Sequence, residues 1–340
     1  MKNRIANIEC RMSNAEGEIP FNSELRTPNS ELFFLTKATV WLIAGLALLC
    51  LAPLFLPRFY IYLLSVMFLY GLLATSNNLA LGFGGIYQLH HAVFYGVGAY
   101  GSALMIVKSG LSPWLGFLVG PLVAAVLGLV MGVICIRLSK LYFGMLQISL
   151  GSLVWVIVYR WYSFTGGDDG IHGITLPDLI STGQGAYYFT LTVTTLSMVA
   201  MYRVLKSPFG SALQGIRDNP VRSAMIGINV RRHQLLTLVI VAFFAGVAGT
   251  LFVVVDNTVF PDMLFWTLSM EAVIMCLLGG WLTFLGPMLG ASLIVAIRTF
   301  VSTFTVYWAL VLGIIFMLVI FFLPDGVLGW GESKLKPAKE

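Results

Sequence analysis

Apolar residues in this chain run on without alternation, in blocks of roughly 15–22 residues divided by short polar joints. A helix needs about 20 apolar residues to cross about 30 Å of hydrocarbon, so each block reads as a membrane span. The blocks lie at 38–56, 60–81, 86–107, 114–136, 141–161, 187–204, 234–255, 267–282, 286–302 and 305–323. The pattern predicts an all-α polytopic membrane protein of about ten helices, with eight to ten as the bracket. Continuous runs exclude a membrane β-barrel, whose strands alternate. The blocks at 86–107 and 267–302 are interrupted by glycine and are expected to be broken or re-entrant. Polar tails flank the transmembrane domain of 38–323, one over 1–37 and one over 324–340.

Composition agrees. The 340 residues are 58% hydrophobic and 10% charged, and mean hydropathy is +0.90. So few charges cannot cover a water-facing surface, which excludes a soluble enzyme, a disordered chain and a nucleic-acid binder. The net charge of +5 says less than its placement. With a cytoplasmic N-terminus and ten spans, sixteen of the twenty basic residues fall inside. Only Arg58, Lys108, Arg160 and Arg298 fall outside or at outer helix ends. This bias places both termini in the cytoplasm. The first 37 residues balance five basic against five acidic side chains and hold no apolar core for a signal peptide. Cys10, Cys50, Cys135 and Cys276 are scattered and read as small hydrophobes, not as a metal set.

Two joints are long. The one at 162–186 reads YSFTGGDDGIHGITLPDLISTGQGA and falls outside. Glycine-rich, with Gly166 and Gly167, it holds Asp168, Asp169, His172 and Asp178, and forms either an outer-face metal or substrate site or a structured turn in which aspartates cap the backbone. A calcium loop needs more oxygen ligands at fixed steps than this run supplies. The other joint, 205–231, reads LKSPFGSALQGIRDNPVRSAMIGINVR and is cytoplasmic. Ser207 and Pro208 start a short amphipathic helix through Phe209, Gly210, Ala212 and Arg217. Asp218, Asn219 and Pro220 break it, a second short helix contains Ala224, and Gly227 closes that one. A plain connector needs only about 2–8 residues, so this projecting knob has a task. The reading weighed first is docking onto a cytoplasmic protein; the other is attachment to anionic lipid.

Polar groups inside the apolar blocks are costly and mark candidate pathways. Glu271 stands alone in LSMEAVIMCLLGG, either as part of a pore or subunit interface or as an acid near the outer headgroups. Asn77 and Asn78 precede, and Gln88, His90 and His91 lie within, the run at 82–101, in which six of twenty residues are glycine. Gly96 and Gly98 in that run, and Gly279 and Gly280 after Glu271, suit a broken helix or close helix contact. Adjacent histidines point to different faces, so no metal site is expected there. The chain has no phosphate-cradling, zinc-protease or nucleophile-elbow motif, no proton relay and no voltage sensor, so it is not read as an enzyme.

Five stretches together resemble one family. NLALGFGGIYQLHHAVFYGVGAY, LYFGMLQISLGSLVWVIVYRWYSFTGGDDGI, SPFGSALQGIRDNPVRSAMIGINVRRHQLL, LSMEAVIMCLLGGWLTFLGPMLGA and FLPDGVLG are similar to segments of LivM-type permease subunits of branched-chain amino acid ABC importers. The resemblance spans about residues 60 to 330 and implies the ABC importer permease fold. It implies that this chain forms half of a translocation pore for branched-chain or other small amino acids in the bacterial inner membrane. It also implies a LivH-type sister permease, two cytoplasmic ATPases of the LivG/LivF type and an external binding protein as partners. ATP and magnesium would then sit on the ATPases, with no cofactor on this chain, and the 205–231 knob would dock into the ATPase. Residues Asn78, Gln88, His91, Gly96, Gly98, Glu271, Gly279 and Gly280 become pore or pathway candidates. Val221, Arg222 and Ser223 depart from the family's acid and two alanines. A urea or short-amide importer permease is the near alternative, and a secondary transporter the more distant one.

Overall fold

A computed structural model describes residues 45, 47–110, 112–138, 140–305, 307–322, 326 and 328. The 1–37 tail, most of the 324–340 tail and the start of the first expected span lie outside the described residues. Residues 47–55 are helical and belong to a unit ending at Phe55; a second unit begins at Leu56 and carries everything below.

Helix α1 (Arg58–Asn78) continues through a π-helical turn (Leu79–Phe83). After a non-helical stretch come α2 (Ala92–Ser109), α3 (Pro113–Cys135) and α4 (Lys140–Arg160). Short helices α5 (Tyr162–Thr165) and α6 (Asp178–Ser181) bracket strand β1 (Ile171–His172). Then follow α7 (Gly183–Lys206), the short pair α8 (Pro208–Asp218) and α9 (Pro220–Met225), and α10 (Val230–Asp256). Strand β2 (Thr258–Val259) and a 3₁₀ turn (Pro261–Leu264) lead to α11 (Trp266–Gly279), α12 (Gly286–Phe304) and α13 (Trp308–Phe322).

Seven of the described helices are long and apolar enough to cross a membrane, the first of them α1 with its π turn. The expected span at 86–107 begins only at Ala92, and the one at 267–282 stops at Gly279. Both losses fall where glycine was expected to break the helix. The backbone has positive φ at Gly85 (62°) and Gly280 (114°), conformations that side-chain-bearing residues avoid. With 14 residues at about 1.5 Å each, α11 spans only part of the hydrocarbon by itself.

Helix α10 is the hub, packed on α3, α2 and α1, with most of its residues from Leu238 to Val254 buried. In lipid, helices gain little from hiding apolar surface and associate through close contact of small residues. The α2–α3–α10 junction is built this way. A Cβ at Gly98 would run into the backbone of Gly246, and one at Gly120 into Gly98, Ser102 and Thr250. The Ser102 and Thr250 hydroxyls lie 2.8 Å apart, and each is also 3.0 Å from a carbonyl one turn back, so two protons serve three contacts. Gly128 and Gly132 of α3 face Ala242 and Leu235 of α10, the packing role their four-residue spacing suggests. Leu118, Leu122, Val126 and Val130 lie exposed on the opposite face of α3, the pattern of a helix that meets hydrocarbon.

The two ends of the bundle differ. Strand β1 pairs antiparallel with β2, Ile171 opposite Val259 and His172 opposite Thr258, and so ties the 162–186 loop to the end of α10. The projection α8–α9 lies at the other end, after the 24 residues of α7. Arg203, Lys206, Arg217, Arg222, Arg231 and Arg232 are grouped at that projecting end.

Candidate functional site

The projection is assembled by local capping. The Ser207 hydroxyl caps α8 by accepting from the Gly210 amide at 3.5 Å, and Pro208 holds the first helical position. Asn219 ends α8 and caps α9, its side-chain oxygen accepting from the Arg222 amide at 3.0 Å. Asn229 repeats the device at the start of α10. Gly227 takes φ 91°, the left-handed turn that releases the chain toward α10. Asn219→Ala is expected to remove about 1 kcal/mol of local helix stability. Faster amide exchange confined to 220–226 is the measurement that checks it.

The projection has an inner and an outer side. Gly210, Leu213 and Ile216 are buried, and Phe209 stacks on His233 at 5.4 Å. Ala212 and Ala224 complete the short-helix pair without reaching the core. Val221, Met225 and Ile226 stand exposed at 63%, 82% and 74%, an apolar patch at the tip. Arg217 turns inward. Its Nη1 donates to the Gly82 carbonyl at 2.9 Å while Nε and Nη2 hold Asp218 at 3.0 and 2.9 Å. Asp218 is the outward member of the pair, its side chain 66% exposed against 27% for Arg217. Gly85 lies under Arg217, where any Cβ would crowd its side chain.

Gly82 belongs to the first of two helix breaks, and the breaks pack on each other. A Cβ at Gly82 would meet the Trp281 carbonyl, and Asn78 Nδ2 donates to the Thr283 carbonyl at 3.1 Å. Thus the first break and the 280–285 loop are joined, and Arg217 holds the first of them. Above them lies a buried polar cluster. Ser76 Oγ and His91 Nε2 are 2.9 Å apart, and the Ala92 amide donates to Ser269 Oγ at 2.9 Å. His90 packs its ring on Gly151 of α4. Both polar atoms of Asn77 and of Gln88, Asn78 Oδ1, and Nδ1 of His90 and His91 are buried with no hydrogen-bond partner among the described residues. A buried polar group without any partner costs about 1–3 kcal/mol, so these atoms call for water or a ligand group as partner.

Toward the strand end a cavity of about 540 Å³ opens between α1, α10, the 3₁₀ turn, α11 and α12. Its charged lining is Asp256, Asp262, Glu271 and Arg298, and its walls include Leu63, Val66, Met263 and Leu268. Arg298 Nη1 and Glu271 Oε1 are 3.7 Å apart. The Tyr62 hydroxyl donates to Asp256 at 2.9 Å. Tyr95 forms part of the lining, stacked on Tyr70 at 6.5 Å and edge-on to Phe252 at 6.2 Å.

The expected pathway residues therefore divide three ways. Glu271 lines the cavity, Asn78, Gln88 and His91 lie buried at the first break, and Gly280 makes the second. Gly96, Gly98 and Gly279 are close-approach points, against Leu264, Gly246 and Gly286 respectively. In the 162–186 loop, Gly166 and Gly167 have positive φ, and Asp168 and Asp169 are exposed. The Asp169 carbonyl lies 2.6 Å from His172 Nε2. Among the described residues no three His, Cys, Asp or Glu side chains gather as metal ligands. Sequence reasoning missed Asp262, Tyr62 and Tyr95 of the cavity, the pairing of Arg298 with Glu271, and the apolar tip.

Comparison with known proteins bears on this arrangement. Residues 59–320 match the family described as branched-chain amino acid transport system / permease component. The high-affinity branched-chain amino acid transport system permease protein LivM of Escherichia coli K12 is 27% identical over 327 residues, covering 88% of this chain and 77% of that protein. The probable branched-chain amino acid transport permease protein LivM of Methanocaldococcus jannaschii is 23% identical, covering 73% of this chain and 81% of its own. The permease protein LivH of Salmonella typhimurium is 26% identical, covering 80% and 97%. No solved structure matches. A bundle of membrane helices with two packed breaks, a capped projection at one end and a cavity at the other lies within the matched segment, and the chain belongs to the permease component family of branched-chain amino acid transport systems.

Proposed function

We propose that this chain forms half of the translocation pathway of an ATP-driven importer for branched-chain or other small amino acids, with the α8–α9 projection in the cytoplasm and the strand end outside. The basic residues gathered at the projecting end support that orientation. A sister permease supplies the other half, cytoplasmic ATPases dock on the exposed tip of Val221, Met225 and Ile226, and a binding protein delivers the amino acid to the outer face. One observation carries the reading. The projection is tied by Arg217 to the carbonyl of Gly82, in the first helix break, and through Asn78 to the second. A charge-assisted hydrogen bond of this kind contributes about 1.5–3 kcal/mol. Displacement of the projection by closing ATPases is therefore passed to the two segments where the helices are already interrupted. Substrate sites in membrane transporters are typically built from discontinuous helices of this kind.

Reconstitution of the complete importer in proteoliposomes tests the reading. Leucine accumulation is expected to require internal ATP and loaded binding protein outside. Accumulation by this chain alone, without ATPase subunits, would overturn it in favour of a secondary transporter. Met225→Asp with Ile226→Asp is expected to reduce co-purification of the ATPases at least tenfold, since anchors buried at the centre of an interface are worth about 2 kcal/mol or more. Pull-down from detergent extract measures this, with leucine-independent folding checked by gel filtration.

A further inference from the structure

The outer cavity has features that transmission of ATPase movement does not use. Among the described residues it sets three carboxylates against one guanidinium, so its interior field is negative. Glu271 and Arg298 face each other across the cavity as an opposed pair. Glu271 is largely covered, its side chain 19% exposed, and its contact with Arg298 at 3.7 Å is longer than a close ion-pair hydrogen bond. Asp256 is already engaged by the Tyr62 hydroxyl. Tyr95, 1% exposed, lines the same cavity, and its hydroxyl has no hydrogen-bond partner among the described residues. The remaining walls are mainly apolar, with the hydroxyls of Thr267, Thr299 and Ser302 among them. A volume of about 540 Å³ accommodates a small aliphatic amino acid with water to spare.

We infer that this cavity is a recognition site for a zwitterionic α-amino acid, in which Glu271 takes the ammonium group, Arg298 and the Tyr95 hydroxyl take the carboxylate, and the aliphatic side chain lies on Leu63, Val66 and Leu268. The inference rests on the permease reading and deepens it. The chemistry accounts for the excess of acid. A zwitterion matches a separated Glu–Arg pair on both charges. A 2-oxo acid of the same shape carries only the carboxylate, and would bring it beside Asp256, Asp262 and Glu271 without an ammonium group to offset them. Like-charge juxtaposition of that kind is a means of rejecting a wrong ligand. Tyr95 is one turn along α2 from His91 and Ala92, so occupation of the site bears directly on the end of the first helix break.

The test uses the complete importer in proteoliposomes with saturating leucine-loaded binding protein. Glu271→Gln is expected to lower the leucine uptake rate at least about tenfold, the loss of a charged hydrogen bond, while the complex assembles. Glu271→Asp is expected to recover part of the rate. The charge-exchanged double variant, Glu271→Arg with Arg298→Glu, separates the two roles of the pair. A purely structural ion pair is restored by the exchange, whereas the ammonium site is misplaced and uptake stays low. Wild-type uptake by Glu271→Gln, or restoration by the exchange, would overturn the inference and leave the permease reading standing. If the Glu271 variants do not assemble, Tyr95→Phe decides, since it removes only one oxygen. A rate lowered severalfold supports the site and an unchanged rate refutes it. Failure of the wild-type importer to move any amino acid refutes the permease reading itself, and this inference with it.

Discussion

Arg217→Ala is expected to abolish most ATP-driven uptake while leaving the importer assembled and able to hydrolyse ATP. The guanidinium is turned away from the exposed tip and spans the gap between α8 and the Gly82 carbonyl. Its removal leaves the apolar tip of Val221, Met225 and Ile226 in place, so docking survives. What is lost is the link between the projection and the π turn, together with a charged partner for a carbonyl whose helix has just ended. With about 1.5–3 kcal/mol of connection removed, a movement of α8 is no longer transmitted in full. The amount of leucine moved per ATP is expected to fall at least tenfold, measured as uptake and phosphate release in the same vesicles. Arg217→Lys is expected to lie between, because an ammonium reaches the carbonyl but cannot also hold Asp218 with the planar fork. Equal loss of hydrolysis and uptake would instead place Arg217 in the docking contact.

Gly98→Leu is expected to prevent accumulation of folded protein. At this point α2 lies backbone to backbone on α10, and α10 in turn rests on Pro121 and Ala124 of α3. A clash with a flexible side chain is relieved by rotation. A clash with the Gly246 backbone is relieved only by moving α10, the element that packs on three other helices. Overpacking of this kind typically costs about 1–3 kcal/mol even in forgiving cores, and the backbone contact puts this site at the upper end or beyond. Gly183→Ala provides the contrast, since no atom lies within 4 Å of its added methyl. Gel filtration of detergent extracts is expected to show a folded peak for Gly183→Ala and aggregate or nothing for Gly98→Leu.

Much of the framework was legible from the chain. Helices that face hydrocarbon must be apolar along their length, so the blocks stood out, and the glycines at 82–85 and 279–280 marked the breaks. The caps at Ser207, Asn219 and Gly227 act within a few residues of their own positions, which is why the projection could be read almost residue by residue. The glycines were harder to sort. Gly96, Gly98, Gly279 and Gly280 look alike in sequence, yet only Gly280 bends the chain, while the others admit a neighbouring helix or side chain. That difference depends on the partner, which no local pattern contains. The cavity was illegible for a related reason. Asp256, Asp262, Glu271 and Arg298 come from separate elements, and a membrane helix that is apolar all round carries little periodicity to show which face looks inward. Arg298 looked like an outer helix end. Only packing brings these residues together beside Tyr62 and Tyr95.

The central claim is that the projection and the first helix break move as one body during the ATPase cycle. Spin labels at Ser211 on α8 and Tyr87 in the break, both exposed, report on it directly when read by electron-electron resonance in the assembled importer. A second pair, Tyr87 with Trp266 at the start of α11, reports on the outer half. The account predicts that the Ser211–Tyr87 distance stays the same with and without trapped ATP, while the Tyr87–Trp266 distance shifts. A Ser211–Tyr87 distance that changes with nucleotide, beside a Tyr87–Trp266 distance that does not, would contradict it.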